Sequence, residues 1–199
     1  MDELFNRKYK KVLEVLPDVA GCSRGKLILV GGTALALFYL NHRVSVDMDF
    51  VPLEGSETRL KEELKGCMTK KGYRTTGGAY KNQFVVQFED TSIKVEVFSP
   101  EHKLKRFEER VFGNAKIPVA SIDDLLRLKI KAYENRREAR DLFDVFCITK
   151  KRQDSEIVKR LISKYGMPKN IQEVESFVLK GQDFELFCKV IENASKTGG

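Results

Sequence analysis

Tryptophan is absent from the 199 residues, histidine occurs twice and proline five times. No stretch approaches the roughly 18 apolar residues that a membrane-spanning helix needs. The opening Met1-Asp2-Glu3-Leu4-Phe5-Asn6-Arg7 carries charge where a secretory leader would build its apolar core, so the expectation is a soluble, cytoplasmic protein. Cys22, Cys67, Cys147 and Cys188 include no CxxC pair, which excludes the common zinc and dithiol redox spacings and predicts four reduced, buried thiols. His42 and His102 also lack ligand spacing and read as surface or structural residues. Internal repeats and low-complexity tracts are missing. With 42% hydrophobic residues, the chain suits one globular domain or a domain with an appendage.

What is plentiful is charge: 36 Lys and Arg stand against 29 Asp and Glu, a net of +7. The excess of base points to an acidic partner, a nucleotide or nucleic acid, although both signs are mixed along the chain.

Apolar residues from Leu4 to Leu16 recur at helical spacing and predict a first helix ending at Pro17. The run Lys26 to Val30 reads as a strand, Gly31-Gly32 as a turn, and Thr33 to Leu40 as a helix. Val44 to Val51 alternates with period two, which predicts a strand carrying Ser45, Asp47 and Asp49 on one face. A helix over residues 56–71 and a short strand over 72–76 follow. Residues 83–88 and 92–98 flank Glu89-Asp90-Thr91 as an antiparallel hairpin, with Ile93, Val95 and Val97 on one face and Lys94, Glu96 and Phe98 on the other. Pro100 and Pro118 bracket a charged, irregular segment. From Ser121 the chain turns helical, with a solvated break at Lys150–Asp154, further helices over 155–165 and 170–195, and a frayed end from Lys196. The composition shift near residue 118 divides the chain into a core, 1–118, and a helical region, 119–199.

Asp47 and Asp49 repel each other on one strand face unless a cation lies between them. Mg²⁺ takes oxygen ligands and commonly bridges paired carboxylates to substrate phosphates. Alone, an Asp-x-Asp pair also suits a solvated edge strand. Upstream, Gly31 and Gly32 let the backbone approach an anion, and Thr33 adds a hydroxyl where a helix begins. Glu96, on a neighbouring strand and the polar face, is the candidate third carboxylate, either as a metal ligand with general-base duty or as the partner of a cross-strand lysine. Arg43 and Ser45 lead into the Asp-x-Asp strand, where the guanidinium could hold a phosphate or an aspartate and the hydroxyl could donate to phosphate. Lys129, Ala132, Arg136 and Arg140 fall on one stripe of a continuous helix, with Asp141 and Asp144 following and Arg140 placed to pair with Asp144. The stripe suits a triphosphate or a solvated basic face.

Four blocks together resemble the nucleotidyltransferase superfamily, and specifically the AbiEii/AbiGii toxins of type IV toxin–antitoxin systems. They are Gly31-Gly32-Thr33-Ala34-Leu35, His42-Arg43-x-Ser45-x-Asp47-x-Asp49-Phe50, Ile93-Lys94-Val95-Glu96-Val97-Phe98, and Lys129-x-x-Ala132-x-x-x-Arg136-x-x-x-Arg140-Asp141-x-x-Asp144. The resemblance implies an α/β fold, with a mixed sheet, flanking helices and a C-terminal helical region that completes the active site. It also implies a two-metal Mg²⁺ site on Asp47, Asp49 and Glu96, and a nucleoside triphosphate held by Gly31, Gly32, Thr33 and Lys129. Arg43, Ser45, Arg136, Arg140 and Asp144, or Asp141 in place of Asp144, would support the substrate. The implied reaction moves a nucleoside monophosphate from the triphosphate to a hydroxyl with release of pyrophosphate, with RNA, in particular the 3′ end of tRNA, as acceptor, and with a cognate antitoxin as a possible partner. Thr33 replaces the superfamily's frequent serine and keeps the hydroxyl; Glu96 replaces its frequent aspartate and lengthens the ligand arm. A protein hydroxyl as acceptor, or a nucleotide- or RNA-binding module without turnover, are the alternatives. An Asp-x-Asp phosphatase fits less well, since that chemistry has no need of the preceding Gly-Gly-Thr turn.

Overall fold

The run Leu27–Val30 has no polar side and is buried on both faces as strand β1, inside a seven-stranded sheet. The structure is a computed structural model describing residues 3–151 and 156–196. By its internal contacts the chain divides into two units, one formed from residues 3–34 and 45–121, the other from 35–44 and the chain from Ile122 onward.

The first unit is the sheet with two helices. Its strands are β1, β2 (Asp47–Pro52), β3 (Arg74–Gly77), β4 (Gln83–Gln87), β5 (Ser92–Val97), β6 (Phe107–Phe112) and β7 (Ala115–Ala120), in the order β3-β4-β5-β2-β1-β7-β6. The sheet is mixed: β1 runs antiparallel to β2 but parallel to β7, and β2 runs parallel to β5. Alternation decides which side each residue takes. Met48 and Phe50 on β2 and Ile93, Val95 and Val97 on β5 are buried, and helices α1 (Glu3–Ser23) and α3 (Glu57–Lys70) pack against the sheet.

Three expectations change here. The first helix does not stop at Pro17 but runs to Ser23, because Val19, Ala20 and Cys22 beyond the proline continue the buried stripe. The segment after Pro100 is not irregular: it holds the hairpin β6–β7, turned at Gly113-Asn114 with Gly113 at φ +60°. Charged Glu108, Glu109 and Arg110 sit on an exposed edge strand, where they need not alternate with apolar residues. Cys22 and Cys67 are not free thiols. The end of α1 lies beside α3 with their Cα atoms 5.7 Å apart, and the two cysteines form a disulfide, while Cys147 and Cys188 are free.

The second unit is helical. A short α2 (Gly31–Leu35), whose last residue belongs here, passes into a π-helical turn, Ala36–Leu40, closed by Asn41 in the left-handed conformation. The remaining helices are α4 (Ile122–Arg136), α5 (Ala139–Lys151), α6 (Glu156–Tyr165), α7 (Ile171–Phe177) and α8 (Gly181–Lys196). The sequence split at 118 groups residues 35–44 with the sheet. In the structure they cluster with the helices because Val44 N–H donates to the Phe177 carbonyl (2.7 Å) and Leu179 N–H to the His42 carbonyl (2.9 Å). The helix expected over 170–195 is interrupted at 178–180 for the same reason. An aromatic cluster of Phe143, Phe146 and Phe187 fills this core, with the His42 ring stacked on Phe143. Of the break expected at Lys150–Asp154, residues 152–154 lie outside the described residues, as do residue 155, the start of the next expected helix, and residues 197–199 of the expected frayed end; Lys196 closes α8. No helix among the described residues is long and apolar enough to cross a membrane.

The disulfide spans 45 residues of sequence, so its loss releases loop-closure entropy in the unfolded chain worth about 4 kcal/mol. Reduction with dithiothreitol is expected to lower unfolding stability by about 2 to 4 kcal/mol. A Cys22→Ser/Cys67→Ser variant should start at that lower stability and show no response to the reductant in urea denaturation.

Candidate active site

In the parallel pairing of β2 with β5, Asp47 stands opposite Lys94 and Asp49 opposite Glu96. Register therefore places four charged side chains in a block on the sheet face opposite Met48, Phe50, Val95 and Val97. Lys94 Nζ lies 3.3 Å from Asp47 Oδ2 and 3.7 Å from Glu96 Oε2. Burial lowers the pKa of this ammonium, but the charges of Asp47, Asp49 and Glu96 outweigh it and hold the group above its ordinary value. Glu96 is braced by amides from the preceding hairpin: Asn82 Nδ2 donates to Oε1 (3.0 Å) and Gln83 Nε2 to Oε2 (2.8 Å). The glutamate arm is thus held by neighbours rather than by brevity. Lys94, Asn82 and Gln83 were not among the expected site residues; the signal for Gln83 was its register, directly across from Glu96.

The glycine turn abuts this block. Gly31 adopts φ +72°, and a Cβ at that position would collide with the Asp49 carboxylate. Thr33, the expected phosphate contact, is 1% exposed. Its hydroxyl donates to the backbone carbonyl of Asp47 and lies 3.0 Å from Ser45 Oγ, pinning the turn to the start of the Asp-x-Asp strand. Ser45 itself precedes β2 instead of sharing its face. Oxygen-only donors on adjacent strands, with a cation already drawn among them, are the chemistry a hard divalent ion requires. The carboxylates are not yet gathered around one point, and among the described residues no three acidic, histidine or cysteine side chains form a ready ligand cluster.

The helical unit contains a second charged centre. Asp144 and Asp141 are both fully buried. Arg43 Nε and Nη2 donate to the two oxygens of Asp144 at 2.6 and 2.7 Å, and its Nη1 to the Val44 carbonyl. Lys129 Nζ bridges the aspartates, 2.9 Å from Asp141 and 2.8 Å from Asp144, and Arg136 donates twice to Asp141. Arg43, expected on phosphate or an aspartate, and Lys129, expected on the triphosphate, are here the counter-charges of buried carboxylates. The stripe is also broken. The left-handed Arg137 follows the end of α4, so Arg140 falls in a new helix, α5, and is exposed, while Asp144 takes Arg43, His42 and Lys129 as partners.

Burial alone would raise the carboxyl pKa of Asp144, yet Arg43 and Lys129 hold it well below the ordinary range; Lys129 and Arg136 depress Asp141 in the same way. His42 Nε2 donates to Asp144 (2.7 Å), and its buried Nδ1 has no hydrogen-bond partner among the described residues. Burial lowers the pKa of His42, and the bare Nδ1 shows why the neutral ring is preferred: a proton there would be a buried donor with no acceptor.

Two measurements follow from this centre. Arg43→Met leaves Asp144 without its bidentate partner and is expected to cost about 3 to 5 kcal/mol in chemical denaturation; a residue that only contacts substrate would leave stability near wild type. As pH falls, the unfolded chain takes up protons that the folded one refuses. Stability should therefore drop first below pH 6.5, as unfolded His42 protonates, and again below pH 3.8 as the unfolded aspartates do. His42→Gln should remove the first decline alone in thermal melts.

Comparison with known proteins bears on the family and the fold. The family model described as nucleotidyl transferase AbiEii toxin, type IV TA system, matches residues 19–185. No curated protein matches in sequence. Among solved structures, JHP933 from Helicobacter pylori is 18% identical with a TM-score of 0.57, covering all of this chain and 93% of that one. The nucleotidyltransferase toxin MenT4 from Mycobacterium tuberculosis is 17% identical with a TM-score of 0.55, covering 78% of this chain and 63% of its own. The antibiotic-resistance factor ANT(2″)-Ia is 13% identical with a TM-score of 0.52, covering 78% of this chain and 91% of its own. These structures share the fold, a mixed sheet with flanking helices, and the family match extends over most of the sequence. The chain belongs to the AbiEii nucleotidyltransferase toxin family of type IV toxin–antitoxin systems and is a nucleotidyltransferase.

Proposed function

We propose that the chain moves a nucleoside monophosphate from a nucleoside triphosphate to the hydroxyl of an RNA, releasing pyrophosphate, with the 3′ end of tRNA as the favoured acceptor. The observation that supports this most directly is the block of Asp47, Asp49 and Glu96 on one open strand face, with Gly31 packed so closely that a side chain there would displace Asp49. Asp47, Asp49 and Glu96 would hold Mg²⁺. Bound there, Mg²⁺ supplies charge neutralisation for the triphosphate and acidifies the acceptor hydroxyl. Glu96, oriented by Asn82 and Gln83, is the group placed to take the hydroxyl proton. Gly31 and Gly32 give the phosphates a backbone without side chains to meet, while Thr33 and Ser45 fix the turn against the strand. Lys129, Arg136, Asp141 and Asp144 act as positioning residues that hold α4, α5 and residues 42–44 in one arrangement. The net charge of +7 favours a polyanionic acceptor. The same family places an antitoxin as partner, and tRNA as acceptor would place the reaction in the cytoplasm.

The test is incubation with Mg²⁺, each α-³²P-labelled nucleoside triphosphate in turn, and purified tRNA beside cell protein. Label is expected in tRNA and sensitive to removal of the 3′ terminal nucleotide. Asp47→Asn/Asp49→Asn should lower incorporation at least about 100-fold while its melting temperature holds or rises, because the repulsion is relieved. Label in a protein band would replace RNA by a protein hydroxyl as acceptor. Absence of transfer with every nucleotide would refute the proposed reaction.

A further inference from the structure

Lys94 is the one cation within 4 Å of Asp47 and Glu96 among the ion pairs of the described residues, and it comes from the same strand as Glu96. Its position is set by the fold rather than by chance approach, since the β2–β5 register puts its Cα directly across from that of Asp47. The side chain is about one-third exposed, with 36% of its surface open, so it has room to leave. A divalent ion coordinated by Asp47 oxygen would share that carboxylate with the ammonium, two like charges on one group.

We infer that Lys94 is an exchangeable counter-cation, which neutralises Asp47 and Glu96 in the metal-free protein and is displaced when a divalent metal ion binds. The inference rests on the reading of Asp47, Asp49 and Glu96 as metal ligands. It assigns Lys94 a positioning role with two effects of opposite sign. The ammonium keeps three carboxylates from driving the strand face apart when no metal is present. It also weakens the site for metal, because every binding event must break the lysine pairs. A lysine that merely stabilised the fold would have only the first effect, and its removal would loosen the metal site.

The experiment is direct titration of the purified full chain with Mn²⁺, followed by electron paramagnetic resonance without nucleotide, paired with melting temperatures in chelator and in saturating Mn²⁺. Lys94→Met, which keeps most of the stem and deletes the charge, is expected to bind Mn²⁺ roughly fivefold or more tightly than wild type. It should melt lower in chelator and gain more from added metal than wild type does. Lys94→Gln serves as a second neutral variant should the first misfold, and Lys94→Arg should bind no more tightly than wild type. Affinity for Mn²⁺ that is unchanged or weaker in both neutral variants, with Asp47→Asn/Asp49→Asn abolishing binding, overturns the exchange and leaves the nucleotidyl-transfer reading standing. Failure of wild type and neutral variants alike to bind Mn²⁺ at millimolar concentration would overturn both. Binding seen only in the neutral variants supports the exchange most strongly.

Discussion

The register of β2 against β5 is the constraint on which the candidate site depends. Two strands running in parallel place Asp47 and Asp49 beside Lys94 and Glu96, and no shift by one residue is available, because it would carry Met48 and Phe50 out of the core and the carboxylates into it. The apolar side of each strand thereby specifies the polar side. Burial of Met48, Phe50, Val95 and Val97 stabilises the sheet and, through the same alternation, forces like charges together on the opposite face. Lys94 between Asp47 and Glu96, and the Asn82 and Gln83 amides on Glu96, offset that repulsion.

The helical unit solves a related problem under harsher conditions. Asp141 and Asp144 are fully buried, where an unpaired carboxylate would cost several kcal/mol, and each is given fixed cations: Arg43 and Lys129 for Asp144, Lys129 and Arg136 for Asp141. The difference between the two centres is informative. Buried carboxylates with short, saturated pairs are committed to holding helices together. Half-exposed carboxylates with one long-armed lysine between two of them are the ones the proposed reading leaves to take up another cation.

Much of this was legible in the chain. Period-two alternation located β2, β4 and β5 and put Asp47, Asp49 and Glu96 on the polar faces, since alternation is a local property. The order of the four blocks identified the family. What local pattern did not carry was pairing across distance. Arg43 and Asp144 are 101 residues apart, and nothing near Arg43 announces a buried carboxylate. Lys129 and Arg136 looked like a free basic stripe because helical spacing says which residues share a face, not whether that face meets solvent or an aspartate. The continuity assumed through Arg140 failed at a single left-handed residue, Arg137, whose type gives no hint of such a turn. The β6–β7 hairpin escaped notice for the opposite reason: its Gly113-Asn114 turn is a recognisable signal, masked by charges that an edge strand tolerates and by Pro118.

The cysteines show how spacing can mislead. A separation of 45 residues matches no metal or redox motif, yet sequence distance says nothing about how two helices lie once their apolar stripes are buried. Val12, Leu16 and Val19 on α1 and Leu60, Leu64 and Met68 on α3 are buried together with the sheet, and the packing of α1 against α3 brings Cys22 to Cys67. The link therefore fastens two helices that already share a core. It adds its stabilisation chiefly by restricting the unfolded chain, and the carboxylate face of β2 and β5 depends on strand register rather than on this link. The strands that form the candidate site and the link that fastens the fold are thus separable, the one set by alternation within strands and the other by the packing of helices.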